Sequence, residues 1–147
     1  GTTLSAITLM EDMAIVINTG DSPVYHYRAG EGDLYLESHI MNKAEADASR
    51  GKYEKETEDY YQNTHILLSY LGKREDLSER EISLRYIYRI APGDKLILGT
   101  DGAFGETKKE QICQMAREEN GQGLIMRLFE TARDTDDDDQ TAILLEF

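Results

Sequence analysis

Ile82-Ser83-Leu84-Arg85-Tyr86-Ile87-Tyr88-Arg89-Ile90 runs into Ala91-Pro92-Gly93-Asp94 and then into Lys95-Leu96-Ile97-Leu98-Gly99-Thr100-Asp101-Gly102. In the first run Ile82, Leu84, Tyr86, Tyr88 and Ile90 alternate with Ser83, Arg85, Ile87 and Arg89. That is a period of two with one exception, Ile87, and it predicts a strand with one apolar face. Pro92-Gly93-Asp94 is a turn by its residue types. Lys95 to Gly99 returns as a short apolar strand, so the pair is expected to form a hairpin. The strand delivers a carboxylate, Asp101, with Gly102 beside it to let the backbone turn sharply.

Upstream, the first 37 residues read as a meander. Thr2 to Met10 and Met13 to Asn18 are strand-like, with a tight turn at Glu11-Asp12. Ile15, Val16 and Ile17 are apolar on both faces, as in a buried strand. Thr19-Gly20-Asp21-Ser22-Pro23 is a strong turn, followed by Val24 to Arg28. Gly30 and Gly32 bracket a turn before Leu34-Tyr35-Leu36. Residues Asn42 to Asn63 are rich in Glu, Lys, Asp and Ala and read as an exposed helix or a mobile flap. Ile66 to Gly72 is apolar again, and Lys73 to Arg80 is a charged loop.

Downstream, two helices are expected. Thr107 can cap the first, with Glu110 at capping-box spacing, and Asn120-Gly121 can end it. In the second, Leu124, Leu128 and Ala132 share one face, with Ile125 and Phe129 beside them. An acidic run, Asp134 to Asp139, precedes a closing strand, Thr141 to Phe147. Many strands, a hairpin, two helices and a strand make an α+β layered domain rather than βαβ units. No repeat or internal boundary appears, so residues 1–147 are one domain.

A chain of 147 residues that is 39% hydrophobic can bury a core. The net charge of −13 argues against a nucleic-acid backbone or an anionic membrane as partner. It suits divalent cations, whose hard-oxygen ligands are Asp and Glu. The one cysteine, Cys113, allows no internal disulfide and reads as a buried thiol in the helix Lys108 to Glu118. A reducing, cytoplasmic compartment is the expectation. No apolar run approaches the length of a membrane helix, and no signal peptide is visible.

Three acids stand at strand ends: Asp21 after Met13–Asn18, Asp101 after Lys95–Gly99, and Asp138 before the last strand. Converging carboxylates repel unless a cation sits between them, so a divalent hard metal is their natural occupant. The plainer reading is that Asp favours turns because it bonds nearby N–H groups. Asp136 to Asp139 alone would be a solvated turn. His26, His39 and His65 lack zinc-ligand spacing, and there is no Gly-rich phosphate loop. No Gly-x-Ser-x-Gly elbow supports a serine nucleophile, and no EF-hand spacing supports a calcium module.

At these residues the chain resembles a family. Gly1-Thr2-Thr3 opening a strand, then Asn18-Thr19-Gly20-Asp21-Ser22, is similar to two consecutive motifs of the metal-dependent type 2C (PPM) protein serine/threonine phosphatases. Pro92-Gly93-Asp94 with Leu96-Ile97-Leu98-Gly99-Thr100-Asp101-Gly102 resembles a third. Asp138-Asp139-Gln140-Thr141 resembles the final Asp-Asn-x-Thr motif, in a form associated with bacterial members. Asn63 to Gly72 resembles the segment before the family's charged loop.

The resemblance implies a layered α-β-β-α sandwich of two antiparallel sheets flanked by helices. It implies two Mg²⁺ or Mn²⁺ ions at one end, with a metal-bridging hydroxide attacking phosphorus. Asp101 and Asp138 would be ligands of one metal, Asp21 would help hold a third, looser ion, and Gly20 and Gly102 would support the turns. Two departures stand out. The chain begins at the later Gly-Thr-Thr motif, so the expectation is an incomplete, C-terminal portion. Such a portion lacks the family's bridging Asp-Gly-x-Gly-Gly motif and its phosphate-binding Arg. Gly105 stands where members commonly carry an acid, which weakens the third ion.

The implied partners are phosphorylated protein substrates, in the pathway of a cognate serine/threonine kinase. Removing N-terminal strands would also leave sheet surface exposed for self-association. The alternative function is a non-catalytic pseudophosphatase-like interaction or sensing domain, with this chain alone inactive in either case.

Overall fold

The computed structural model describes residues 1–72, 78, 81–133 and 138–147. The charged loop Lys73 to Arg80, apart from Ser78, and residues 134–137 of the acidic run lie outside the described residues. Among the described residues, seven strands form two antiparallel sheets. The first has the order β1-β2-β5, from β1 (Leu4–Met10), β2 (Met13–Thr19) and β5 (Ser83–Ile87). The second has the order β4-β3-β6-β7, from β4 (Asp33–Leu36), β3 (Val24–Arg28), β6 (Lys95–Gly99) and β7 (Ala142–Glu146).

The sheets pack face to face through Ala14, Val16 and Ile87 from one and Val24 and Leu96 from the other. The other face of the second sheet is covered by α4 (Lys109–Glu118) and α5 (Gly121–Arg133). Tyr27, Leu34 and Ile97 meet Ile112, Met115, Leu124 and Leu128 there in the larger core. Leu124, Leu128 and Ala132 are the buried face of α5, as their spacing predicts. Cys113 is a buried free thiol. No helix among the described residues is long and apolar enough to cross a membrane.

The expected hairpin at 82–99 is not one. β5 pairs with β2, whereas β6 pairs with β3 and β7. Pro92-Gly93-Asp94 is thus a corner between sheets. The buried Asp94 carboxylate holds it by accepting from the Ala29 and Ala91 N–H groups, at 2.9 and 3.0 Å. Arg89, with φ +60, redirects the chain before it. The alternation in β5 also faces the unexpected way. Ile87, the exception to the pattern, is 2% exposed and in the core, while Leu84, Tyr86 and Tyr88 are 53, 48 and 60% exposed. Ile17 in β2 shares that open face, because it pairs with Leu84.

Two details of the helices differ from expectation. Thr107 does not cap α4: the helix starts one residue too late for it, and its buried Oγ1 accepts no bond from the helix N-terminus. Lys108 takes the cap position instead, and its N–H donates to the Gln111 side chain at 3.0 Å. The α4 C-terminus is held by buried Lys95, whose ammonium donates to the Ala116 and Glu119 carbonyls, a favourable place for a cation. Residues 42–63 contain two short helices, α1 (Lys43–Ser49) and α2 (Glu58–Tyr61). Asn42, Ala44 and Asp47 are buried, and Asn42 caps α1 by accepting from Glu45 N–H at 3.0 Å.

Candidate active site

Asp21, Asp101 and Asp138 open on one cavity of about 650 Å³. Each arrives there from a different strand end. Asp21 follows β2 through Gly20, whose φ is +99 and whose Cβ, were there one, would stand 2.5 Å from Thr3 Cγ2. Glycine is required there on both counts. The fully buried Asn18 fixes this turn. Its side-chain oxygen accepts from His39 N–H at 3.0 Å and its amide donates to His39 O at 2.8 Å.

Asp101 and Asp138 come together because the ends of β6 and β7 are stapled. Thr100 N–H donates to Thr141 O at 2.9 Å, and Thr100 Oγ1 donates to Asp139 O at 3.1 Å. Asp101 opens the single-turn helix α3 (Asp101–Phe104), and Gly102 is inside it. The expected sharp turn at Gly102 is therefore replaced by helical backbone, and its value is room. A Cβ at Gly102 would lie 2.8 Å from Asp139 O and 3.0 Å from Asp138 Cβ. Gly105 ends α3 at φ +51. An acid in that place would be strained, and Gly105 adds no donor to the cavity.

Electrostatics ties two of the acids together. Asp21 is buried, and its carboxyl is pushed up to about 6, first by burial and then by the charge of Asp101. A backbone hydrogen bond and Asn42 partly offset this. Asp101 and Asp138 are exposed. Among the described residues no group of three or more His, Cys, Asp or Glu side chains is close enough together to hold a metal ion. The donor chemistry nevertheless suits a hard divalent cation: oxygen ligands only, on one cavity, with mutual repulsion to relieve. The described residues lining it include no lysine or arginine. A phosphate monoester would meet only negative charge without such a cation.

Several residues of the cavity were not singled out by the sequence. Tyr25 and Phe104 stack in a tilted pair at 5.1 Å, and Tyr60 and Tyr61 meet edge to face at 5.6 Å. Tyr60 is fixed by donating to the Glu45 carboxylate at 2.5 Å. Asn42 was legible as a cap, since Glu45 follows it three residues on. Tyr60 and Tyr61 carried no signal, because α2 is one turn long and has no apolar period.

No protein-family model and no curated protein matches the chain. Solved structures do. The chain is 25% identical to the PPM Ser-Thr phosphatase MsPP from Mycobacterium smegmatis, solved with cacodylate, with a TM-score of 0.70. That match covers 97% of this chain and 60% of MsPP. The Streptococcus agalactiae (S. agalactiae) serine/threonine phosphatase matches with a TM-score of 0.81 at 18% identity, over 99% of this chain and 59% of the other. The catalytic domain of PstP, in complex with two manganese ions, matches with a TM-score of 0.75 at 21% identity, over 97% and 56%. The chain thus spans somewhat over half the length of the structures it matches. Over that span, the fold is that of the PPM serine/threonine phosphatases.

Proposed function

We propose that this chain forms part of a metal-dependent phosphatase acting on phosphoserine and phosphothreonine proteins. The observation that carries the reading is the convergence of Asp21, Asp101 and Asp138 on one cavity in a fold of this kind. Asp101 and Asp138 would hold one Mg²⁺ or Mn²⁺, and Asp21 would serve a further ion from its side. When bound, such ions supply the positive charge that draws in phosphate and activates water for in-line attack on phosphorus. The chain's own contribution is positional. Thr100 staples the two acid-bearing loops, Gly102 leaves room for Asp138, and Asn18 fixes the Asp21 turn.

The test is Mn²⁺ binding by calorimetry, for the chain and for Asp101→Asn and Asp138→Asn. Binding that weakens at least tenfold in each variant supports the site. Equal binding in all three proteins would dismiss it. The lack of a tight three-ligand group among the described residues favours a second reading, a pseudophosphatase-like interaction domain. That reading expects phosphopeptide binding that is indifferent to Mn²⁺.

A further inference from the structure

The cavity offers a phosphoryl group few hydrogen-bond donors. Its described lining has no lysine or arginine. Tyr60 already donates to Glu45, and Thr64 Oγ1 donates to Tyr61 O at 2.9 Å. The Tyr25 hydroxyl is pushed up to about 12, first by burial and then by the Glu45 charge, so it is a weak donor. His65 differs from all of these. It lines the same cavity and is exposed, and among the described residues no hydrogen bond or ion pair engages its ring. Even the neutral imidazole carries one N–H.

The backbone beneath His65 is fixed. Lys43 N–H donates to Ile66 O at 2.8 Å, and Leu68 N–H donates to Met41 O at 2.9 Å. Met41 N–H in turn donates to Gly20 O at 3.0 Å. The segment that carries His65 is thus tied, through residues 41–43, to the turn that presents Asp21. A donor on such a base has little backbone freedom left to lose on binding. Cations at the three acids would take some phosphoryl oxygens, and the others would still need donors. A hydrogen bond to a charged phosphoryl oxygen is stronger than one to a neutral hydroxyl.

We propose that His65 binds the phosphoryl group of the substrate, donating its ring N–H to an oxygen that the cations leave free. This rests on the phosphatase reading of the same cavity. The experiment measures binding of a fluorescein-labelled phosphothreonine peptide and its unphosphorylated counterpart by anisotropy, with Mn²⁺ and again with chelator.

His65→Ala should cut the preference for the phosphorylated peptide about tenfold, the equivalent of ~1.4 kcal/mol. His65→Gln, which keeps an N–H donor, should lose less. Neither change should alter binding of the unphosphorylated peptide. In proton NMR with Mg²⁺, the His65 ring signal, identified by its absence from His65→Gln, should shift with the phosphorylated peptide only. No phosphate preference in the wild type overturns the proposal. So does a preference unchanged in His65→Ala, an equal loss for both peptides, or a ring signal that stays still. A preference that needs Mn²⁺ but not His65 leaves the phosphatase reading standing without this residue. One that needs His65 but not Mn²⁺ upholds His65 and sinks the phosphatase reading instead.

Discussion

Gly102 and Asp138 are packed so closely that a single methyl group on Gly102 would lie 3.0 Å from Asp138 Cβ. The contact joins the helix that starts with Asp101 to the loop that carries Asp138. It therefore sets how near the two carboxylates can come. The carbonyl of Asp139, at 2.8 Å from the same position, is backbone and cannot swing aside.

Gly102→Ala should displace the Asp138 loop. Overpacking of this kind costs about 1–3 kcal/mol. Thermal unfolding should report that loss, and calorimetry should show weaker Mn²⁺ binding. Unchanged stability together with unchanged Mn²⁺ affinity would show that the loop yields freely.

Asp21 gives the metal-free chain a pH dependence of defined sign. Its folded carboxyl is raised from 3.8 to about 6. Between those values the folded state holds a proton that the unfolded chain has released, so stability falls as pH rises through the window. Below about pH 4 both states are protonated and the group contributes nothing; above 6 its cost is complete, on the order of 1–3 kcal/mol. Asp21→Asn removes the charge and keeps a partner for Asn42. The variant should be more stable than the wild type at pH 7.5 in chelator and no more stable at pH 3.5. Urea denaturation at both pH values measures this, and an equal gain at both would contradict it.

Much of the architecture was legible in the sequence because alternation and turn chemistry are local. β2, β3 and β6 fall within a residue of their sequence-based limits, and the α5 face is the one its spacing gives. The strand pairing was not legible. Pro92-Gly93-Asp94 has the composition of a hairpin turn, and contacts with partners distant in sequence, such as Asp94 with Ala29 and Gly93 with Phe147, make it a corner. Period two in β5 reports that one face is apolar, but not which face meets the core. Ile87 decided that through Val16 and Leu96, which are distant in sequence. In the site, Asp21, Asp101 and Asp138 were visible as acids at strand ends, while Tyr60 and Tyr61 depend on where one turn of helix is placed.

The open face of the first sheet should make this chain associate with itself. Leu84, Tyr86, Tyr88 and Met10 are each at least 48% exposed, and β1 and β5 are edge strands. Charge opposes this, since two copies carry −13 each. The balance should shift with salt, because the screening length falls from about 30 Å at 0.01 M to about 8 Å at 0.15 M. Average mass by sedimentation should rise with concentration, and more steeply at 0.15 M than at 0.01 M. Leu84→Lys should lower it. A monomer at every concentration and both salts would count against an adhesive face.

The 147-residue chain by itself should show little or no phosphatase activity, even in ample Mn²⁺. Among its described residues no three ligand-type side chains form a tight group, and no lysine or arginine lines the cavity. Asp101 and Asp138 can still bind one cation weakly. A two-metal displacement needs a ligand shared between the ions to set their separation and to aim the attacking oxygen opposite the leaving group. Asp21, assigned above to a further ion, is not that shared ligand. Lost alignment is expensive in rate: effective molarities for well-oriented groups reach about 10⁵–10⁸ M. With no guanidinium among the described residues of the cavity to grip the phosphate bidentately, substrate capture should be weak as well. Hydrolysis of a small aryl phosphate and of a phosphothreonine peptide, with an Asp101→Asn control, measures this. The expected rates of wild type and control are both near background. Brisk turnover by the wild type that disappears in Asp101→Asn would mean that these residues complete a working site, by moving closer together around the metal or by pairing two copies of the chain.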